Sequence, residues 1–232
     1  MNKLNKVYDR HYERMNRITS ESFQQADYRE IESFLPQDKQ TPILDVGCGQ
    51  GHFLYYLYRL GYTNLSGVDR SCGQIEAAKK HMPAEINLST QDGVEFLRAS
   101  NQKYGFISLF DVIEHVKKDE LNNFLGVIYT ALSEHGKLIV RTPNMASLLG
   151  TYSRYLDMTH EVGFAEFSLM QVLEEAGFRR NMLVDQTKFY RGKRKYLLHL
   201  RNIICKSLFL LDGRTLPTVY DKNILMCSEK TD

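Results

Sequence analysis

From Pro42 to Thr142, short apolar runs at 42–46, 65–69, 86–89, 104–110 and 136–142 alternate with helix-like stretches at 52–60, 73–81, 93–100 and 119–133. A chain that alternates in this way must cover each buried strand from both sides, and a parallel sheet flanked by helices does so. A further helix over 168–178, closed by Gly177, and strand-like segments at 181–189 and 223–229 complete the pattern. The expected fold is α/β, a seven-stranded and mostly parallel sheet with helices on both faces.

The length of 232 residues suits one domain, and no internal repeat or low-complexity linker divides it. With 43 % hydrophobic and 25 % charged residues, disordered and collagen-like chains are excluded. The domain 1–232 divides into an N-terminal helical extension (1–40), a core (41–189), an insertion (190–222) and a last strand (223–229). The polar start MNKLNKVYDRHYERM is no secretory signal, and no apolar run is long enough to span a membrane. Cys48, Cys72, Cys205 and Cys227 form no C-x-x-C pair, so a reduced, cytoplasmic protein is expected.

The richest stretch is Ile43-Leu44-Asp45-Val46-Gly47-Cys48-Gly49-Gln50-Gly51-His52, a buried strand entering a glycine loop and then a helix. Glycines 47, 49 and 51 allow tight turning and bring a ligand against bare backbone at a helix N-terminus. A dinucleotide fingerprint G-x-G-x-x-G needs its third glycine where His52 stands, so the spacing is G-x-G-x-G instead. Cys48 reads as a small buried filler, and Asp45 as a group that either reaches the ligand through water or orients the loop.

This loop, with Asp69 ending the second strand, resembles motif I and the ribose-binding acid of class I S-adenosylmethionine (SAM)-dependent methyltransferases, over roughly residues 42–185. The resemblance implies a Rossmann-like fold with SAM as cofactor. It places Asp45, Gly47, Cys48, Gly49, Gly51, Asp69, Arg70, Asp92, Gly93, Phe110 and Asp111 on the cofactor side. Asp69 would take the ribose hydroxyls, Asp92 would meet the adenine amino group, and Phe110-Asp111 would lie at the switch point of the sheet.

Phe110-Asp111-Val112-Ile113-Glu114-His115-Val116 resembles the D/E-x-x-E-H stretch of quinone-biosynthesis O-methyltransferases and small-RNA 3′-terminal 2′-O-methyltransferases. Three roles stay open for Glu114 and His115: capping the loop, acting as a metal-free base at His115, or binding a divalent ion. In the last, Asp111, Glu114, His115 and His160 would hold Mg²⁺, Mn²⁺ or Zn²⁺. Arg141-Thr142-Pro143-Asn144 resembles the family's substrate-side loop, and the stretch to Phe164 suits a lid. Tyr8, His11 and Tyr12 either close over SAM or acceptor or pack on the sheet edge.

The net charge of +2 is a cancellation: residues 41–185 carry −4, and residues 186–232 carry +6. In the insertion, Leu197, Leu200, Ile204, Leu208 and Leu211 recur at helical spacing, opposite Lys195, His199, Asn202 and Lys206, with Arg191, Lys193 and Arg194 at the start. The apolar stripe packs on the chain's own sheet, lies on a membrane surface or lipid-linked substrate through 191–214, or meets a partner. Oligomeric state is not legible.

The expected activity is that of a SAM-dependent methyltransferase acting on a hydroxyl of a sugar, glycan or other small molecule in surface-polysaccharide synthesis. A quinone-type or RNA 3′-end acceptor is the alternative, and a catalytically silent SAM-binding partner protein is the rival of another class. No RNA-binding motif is present, which argues against nucleic acid.

Overall fold

A computed structural model of the chain describes residues 27–190 and 192–231. Seven strands form one sheet in the order β3-β2-β1-β4-β5-β7-β6. They are β1 (Ile43–Val46), β2 (Leu65–Asp69), β3 (Asn87–Thr90), β4 (Tyr104–Phe110), β5 (Leu132–Pro143), β6 (Arg180–Leu183) and β7 (Asn223–Glu229). β1 to β5 pair in parallel, and β7 runs antiparallel to both β5 and β6. The helices are α1 (His52–Arg59), α2 (Cys72–Lys79), α3 (Gly93–Ala99), α4 (Leu121–Ala131), α5 (Gly150–Leu156), α6 (Glu166–Glu175) and α7 (Lys193–Leu211).

Side chains of a strand alternate between its two faces, and here the alternation feeds two cores. Leu44, Val46, Ile107, Leu109, Leu138 and Val140 pack with α4 and α6, through residues such as Leu125, Ile128, Leu169 and Leu173. Their neighbours Ile43, Phe106 and Ile139 pack on the other face with Phe53, Leu54 and Leu57 of α1. This two-sided burial is why the central strands read as unbroken apolar runs.

The differences from expectation have local causes. β6 stops at Leu183, because Asp185 accepts a hydrogen bond from the Thr187 N–H at 3.0 Å and turns the chain into a short 3-10 segment, Gln186–Phe189. α4 ends at Ala131 and β5 begins at the next residue. The expected lid contains a helix, α5. Of the N-terminal extension, the described part carries one 3-10 turn, Arg29–Phe34, with Ile31 buried. Tyr8, His11 and Tyr12 lie outside the described residues, as do Arg191 and the side chain of Arg194.

The insertion departs most. α7 turns Leu198, Arg201, Asn202, Cys205 and Phe209 toward the body, with Cys205 fully buried. The Arg201 guanidinium donates to the buried Asp221 carboxylate at 2.6 Å. The predicted apolar stripe faces away: Leu197, Leu200, Ile204, Leu208 and Leu211 are 66, 54, 44, 49 and 85 % exposed. Packing of that stripe on the chain's own sheet is therefore excluded.

Candidate active site

The carboxyl ends of β1 and β4 flank the point where strand order reverses, the position at which open α/β sheets form a ligand crevice. The loop leaving β1 is built on its three glycines, which take φ values of 73, 51 and 82° at Gly47, Gly49 and Gly51, the left-handed region that other residues avoid. A side chain on Gly47 would also collide with Val112, because a Cβ there would overlap its Cγ2. The glycine loop and the segment after β4 thus touch. Cys48 is buried between them and β2, with burial pushing its thiol pKa well up, so it fills space rather than reacts.

Asp69 is the clasp of this loop. Its carboxylate accepts from the Gly49 N–H and the Ser71 N–H, each at 2.8 Å, and so fastens the loop after β1 to the end of β2. Each carboxylate oxygen has two acceptor positions, which leaves capacity for ribose hydroxyls. Asp92 caps α3 by accepting from Val94 and Glu95 N–H at 2.9 and 3.0 Å, and Arg70 donates to its second oxygen at 2.6 Å. Burial raises the Asp92 pKa, but these hydrogen bonds outweigh it, so the group stays below the usual carboxylate range. Gly93 opens α3 against Val46.

Asp45 lies beneath the loop, 3 % exposed, with its carboxylate accepting from the Ser108 hydroxyl at 2.6 Å across to β4. Burial pushes its pKa up to about 7, against the hydrogen bond from Ser108 and the charge of Arg141, with Asp69 adding to the rise. Its fit is to orient the loop. A folded pKa above the unfolded value of about 3.9 means that Asp45 contributes stability fully present below about pH 4 and lost as pH rises through about 7. Asp45→Asn should accordingly gain melting temperature relative to wild type between about pH 5 and pH 8. A gap between the two proteins that stays constant with pH would contradict this placement.

At the end of β4, Asp111 takes a left-handed backbone, φ 56°, uncommon for a residue with a side chain. Its carboxylate receives the Arg141 guanidinium at 2.5 and 3.2 Å, and Arg141 lies 4.7 Å over the Phe110 ring. Burial works against the Arg141 charge and Asp111 more than offsets it, so its pKa is raised. Tyr28 stacks on Phe110 at 5.5 Å, and Phe53 meets the same ring edge-on at 4.9 Å. Burial pushes the Tyr28 hydroxyl up to about 12, keeping it neutral. Tyr28 escaped the sequence reading, since nothing in its polar surroundings marks it.

The segment 113–115 carries Glu114 and His115, and the chain before α6 returns Thr159 and His160 to it. Glu161 and Val162 N–H donate to the Glu114 carbonyl at 2.7 and 3.1 Å. The Glu114 carboxylate, 2 % exposed, accepts from the Thr142 hydroxyl at 3.0 Å. Burial, with the nearby Asp111 charge, pushes its pKa up to about 8. The rings of His115 and His160 meet at 4.8 Å. Among the described residues, Glu114, His115 and His160 bring potential ligand atoms within 4.8 Å of one another, and Nδ1 of His160 is buried with no hydrogen-bond partner. Asp111, expected in that set, is not part of it. Arg141 on the adjacent strand takes its carboxylate instead.

The tautomer of His115 follows from its neighbours. The Thr159 hydroxyl donates to Asp157 at 2.7 Å, so its oxygen faces His115 Nδ1, 2.9 Å away, as an acceptor. The Thr159 carbonyl, 3.2 Å from the same nitrogen, can only accept. Nδ1 therefore carries the proton and Nε2 the lone pair. Burial lowers the His115 pKa, reinforced by His160 and opposed by Asp157, so the ring is neutral near pH 7.

The Methyltransferase domain family profile matches residues 11–181. The chain belongs to this methyltransferase family. The methyltransferase is 28 % identical over 179 residues to the ubiquinone biosynthesis O-methyltransferase of Bartonella tribocorum, a match that covers 68 % of this chain and 70 % of that protein. It is 32 % identical over 104 residues to the protein of the same name from Bartonella quintana, covering 44 % of this chain and 41 % of the relative. A SAM-dependent methyltransferase from Archaeoglobus fulgidus shares the fold with a TM-score of 0.68 at 19 % identity, over 96 % of this chain and 100 % of that one. With its seven-stranded Rossmann-like sheet, the chain is a SAM-dependent methyltransferase.

Proposed function

We propose that this methyltransferase transfers the methyl group of SAM to a hydroxyl on a quinone-forming aromatic ring, with His115 as the base. The observation that carries this is the placement of His115 Nδ1 against the hydroxyl and carbonyl oxygens of Thr159, on the segment that follows β4; with both oxygens accepting, Nε2 is the basic nitrogen. The acceptor oxygen attacks the sulfonium methyl in line. An O–CH₃ bond forms as the S–CH₃ bond breaks, the hydroxyl proton passes to Nε2, and S-adenosylhomocysteine leaves.

The acidity of the acceptor bears on the choice of substrate. An imidazole held below its ordinary pKa of about 6.5 is far better matched to a phenol of pKa about 10 than to an aliphatic sugar hydroxyl. The quinone reading is also supported by the O-methyltransferases named above, and it replaces the glycan as the preferred acceptor. The segment bringing Thr159 and His160 to the site exposes Leu149, Tyr152, Tyr155 and Met158, a flank suited to an apolar molecule. Glu114, His115 and His160 also fit a divalent cation such as Mg²⁺, Mn²⁺ or Zn²⁺, whose chemistry when bound would be to acidify the acceptor hydroxyl. Mass spectrometry of products from a prenylated catechol and a sugar acceptor tests the substrate class. The methyl ether of the catechol is expected, and methylation of the sugar alone would reject the reading.

Thr159 is the positioning residue. Thr159→Val should lower kcat by about threefold to tenfold with the SAM Kd unchanged, because the valine keeps the backbone carbonyl at 3.2 Å from Nδ1 but loses the nearer hydroxyl oxygen at 2.9 Å. Thr159→Ser should restore most of the rate. If the valine and serine variants behave alike, the hydroxyl plays no such part.

A further inference from the structure

We infer that α7 lies in the plane of an anionic lipid bilayer and docks the enzyme there through its outward apolar face. One side of the helix is committed to the protein by Cys205 and by the Arg201–Asp221 ion pair. The other side presents Leu197, Leu200, Ile204, Leu208 and Leu211 to solvent over the length of a 19-residue helix. An apolar face of this extent on a folded surface marks an interaction site.

Charge chooses the occupant. Residues 186–211 carry seven Lys or Arg and no Asp or Glu. The exposed apolar face widens beyond the leucine stripe through Tyr196, Ile203 and Leu210, 79, 51 and 58 % exposed. Lys195 and Lys206, opposite the stripe itself, therefore flank its far edge, where their long stems let the ammonium groups reach headgroups while the apolar side chains enter the acyl boundary. A surface of anionic lipids supplies the apolar layer and the negative plane together. A second copy would set two cationic, carboxylate-free helices against each other. No helix among the described residues is long and apolar enough to cross a membrane, so the helix lies on the bilayer. Docking also reaches the crevice. Asp221, bound to Arg201 through its side chain, accepts from the Asn144 amide through its carbonyl at 3.0 Å, and Asn144 follows directly on β5.

Flotation of the full chain with phosphatidylcholine vesicles, with and without phosphatidylglycerol, tests the inference. Wild type should float with the anionic vesicles, less so as salt is raised. The double variant Leu200→Glu/Ile204→Glu should lower the bound fraction by about tenfold or more, and Lys195→Glu/Lys206→Glu should abolish the preference for phosphatidylglycerol. All four positions are exposed, so SAM binding by each variant serves as the check of folding. Three results overturn the inference: wild type left at the bottom of the gradient with anionic vesicles, the leucine–isoleucine variant floating as wild type does, or a wild-type dimer in solution that this variant splits.

Discussion

Replacing His115 by alanine should lower kcat by about 10²- to 10⁴-fold and leave the SAM Kd within about twofold, the signature of a lost general base rather than a lost binding contact. His115 stands on the segment after β4, where Thr159 holds its Nδ1 and its ring meets that of His160. The glycine loop is fastened by Asp69, and removing the imidazole leaves that clasp in place. Binding by calorimetry and single-turnover rates separate the two effects. Wild-type turnover in the alanine variant would mean that alignment alone drives transfer, with His115 and any ion it holds dispensable. A parallel loss of SAM affinity would mean that the residue props the crevice instead.

The second large effect is expected at Asp69. Asp69→Ala removes the acceptor for the Gly49 and Ser71 N–H groups at one stroke, as well as the acceptor for the ribose. A hydrogen bond to a charged group contributes about 1.5–3 kcal/mol, so the SAM Kd should rise by about 10²-fold or more. Asp69→Asn keeps one acceptor oxygen and should fall between the two. Calorimetry on the three proteins gives the order directly. An alanine variant binding SAM within about threefold of wild type would show that the loop holds its shape without this clasp.

Much of the fold was legible because two-sided burial writes each central strand as an apolar run and the helices between them keep their own period. The glycine loop was legible because residues at positive φ are restricted to few types, and G-x-G-x-G places them at alternate positions. Asp69 was legible from its place at a strand end. What could not be read were contacts between elements. A helical stripe tells which side chains share a face and is silent on which way that face turns, so the exposed leucines of α7 emerged only from the structure. Asp111 has the chemistry of a metal ligand, but the guanidinium that takes it comes from thirty residues further along, on the neighbouring strand. Asp157 and Thr159 act on a histidine 44 residues before Thr159, a relation with no local signature.

The most direct measurement is S-adenosylhomocysteine release by wild type and His115→Ala, side by side, with a prenylated catechol as acceptor. The account predicts that both proteins bind SAM and that wild type yields S-adenosylhomocysteine and the methyl ether in equal amounts, while the variant yields almost none. SAM binding by a wild-type protein that forms neither product from this acceptor would contradict it.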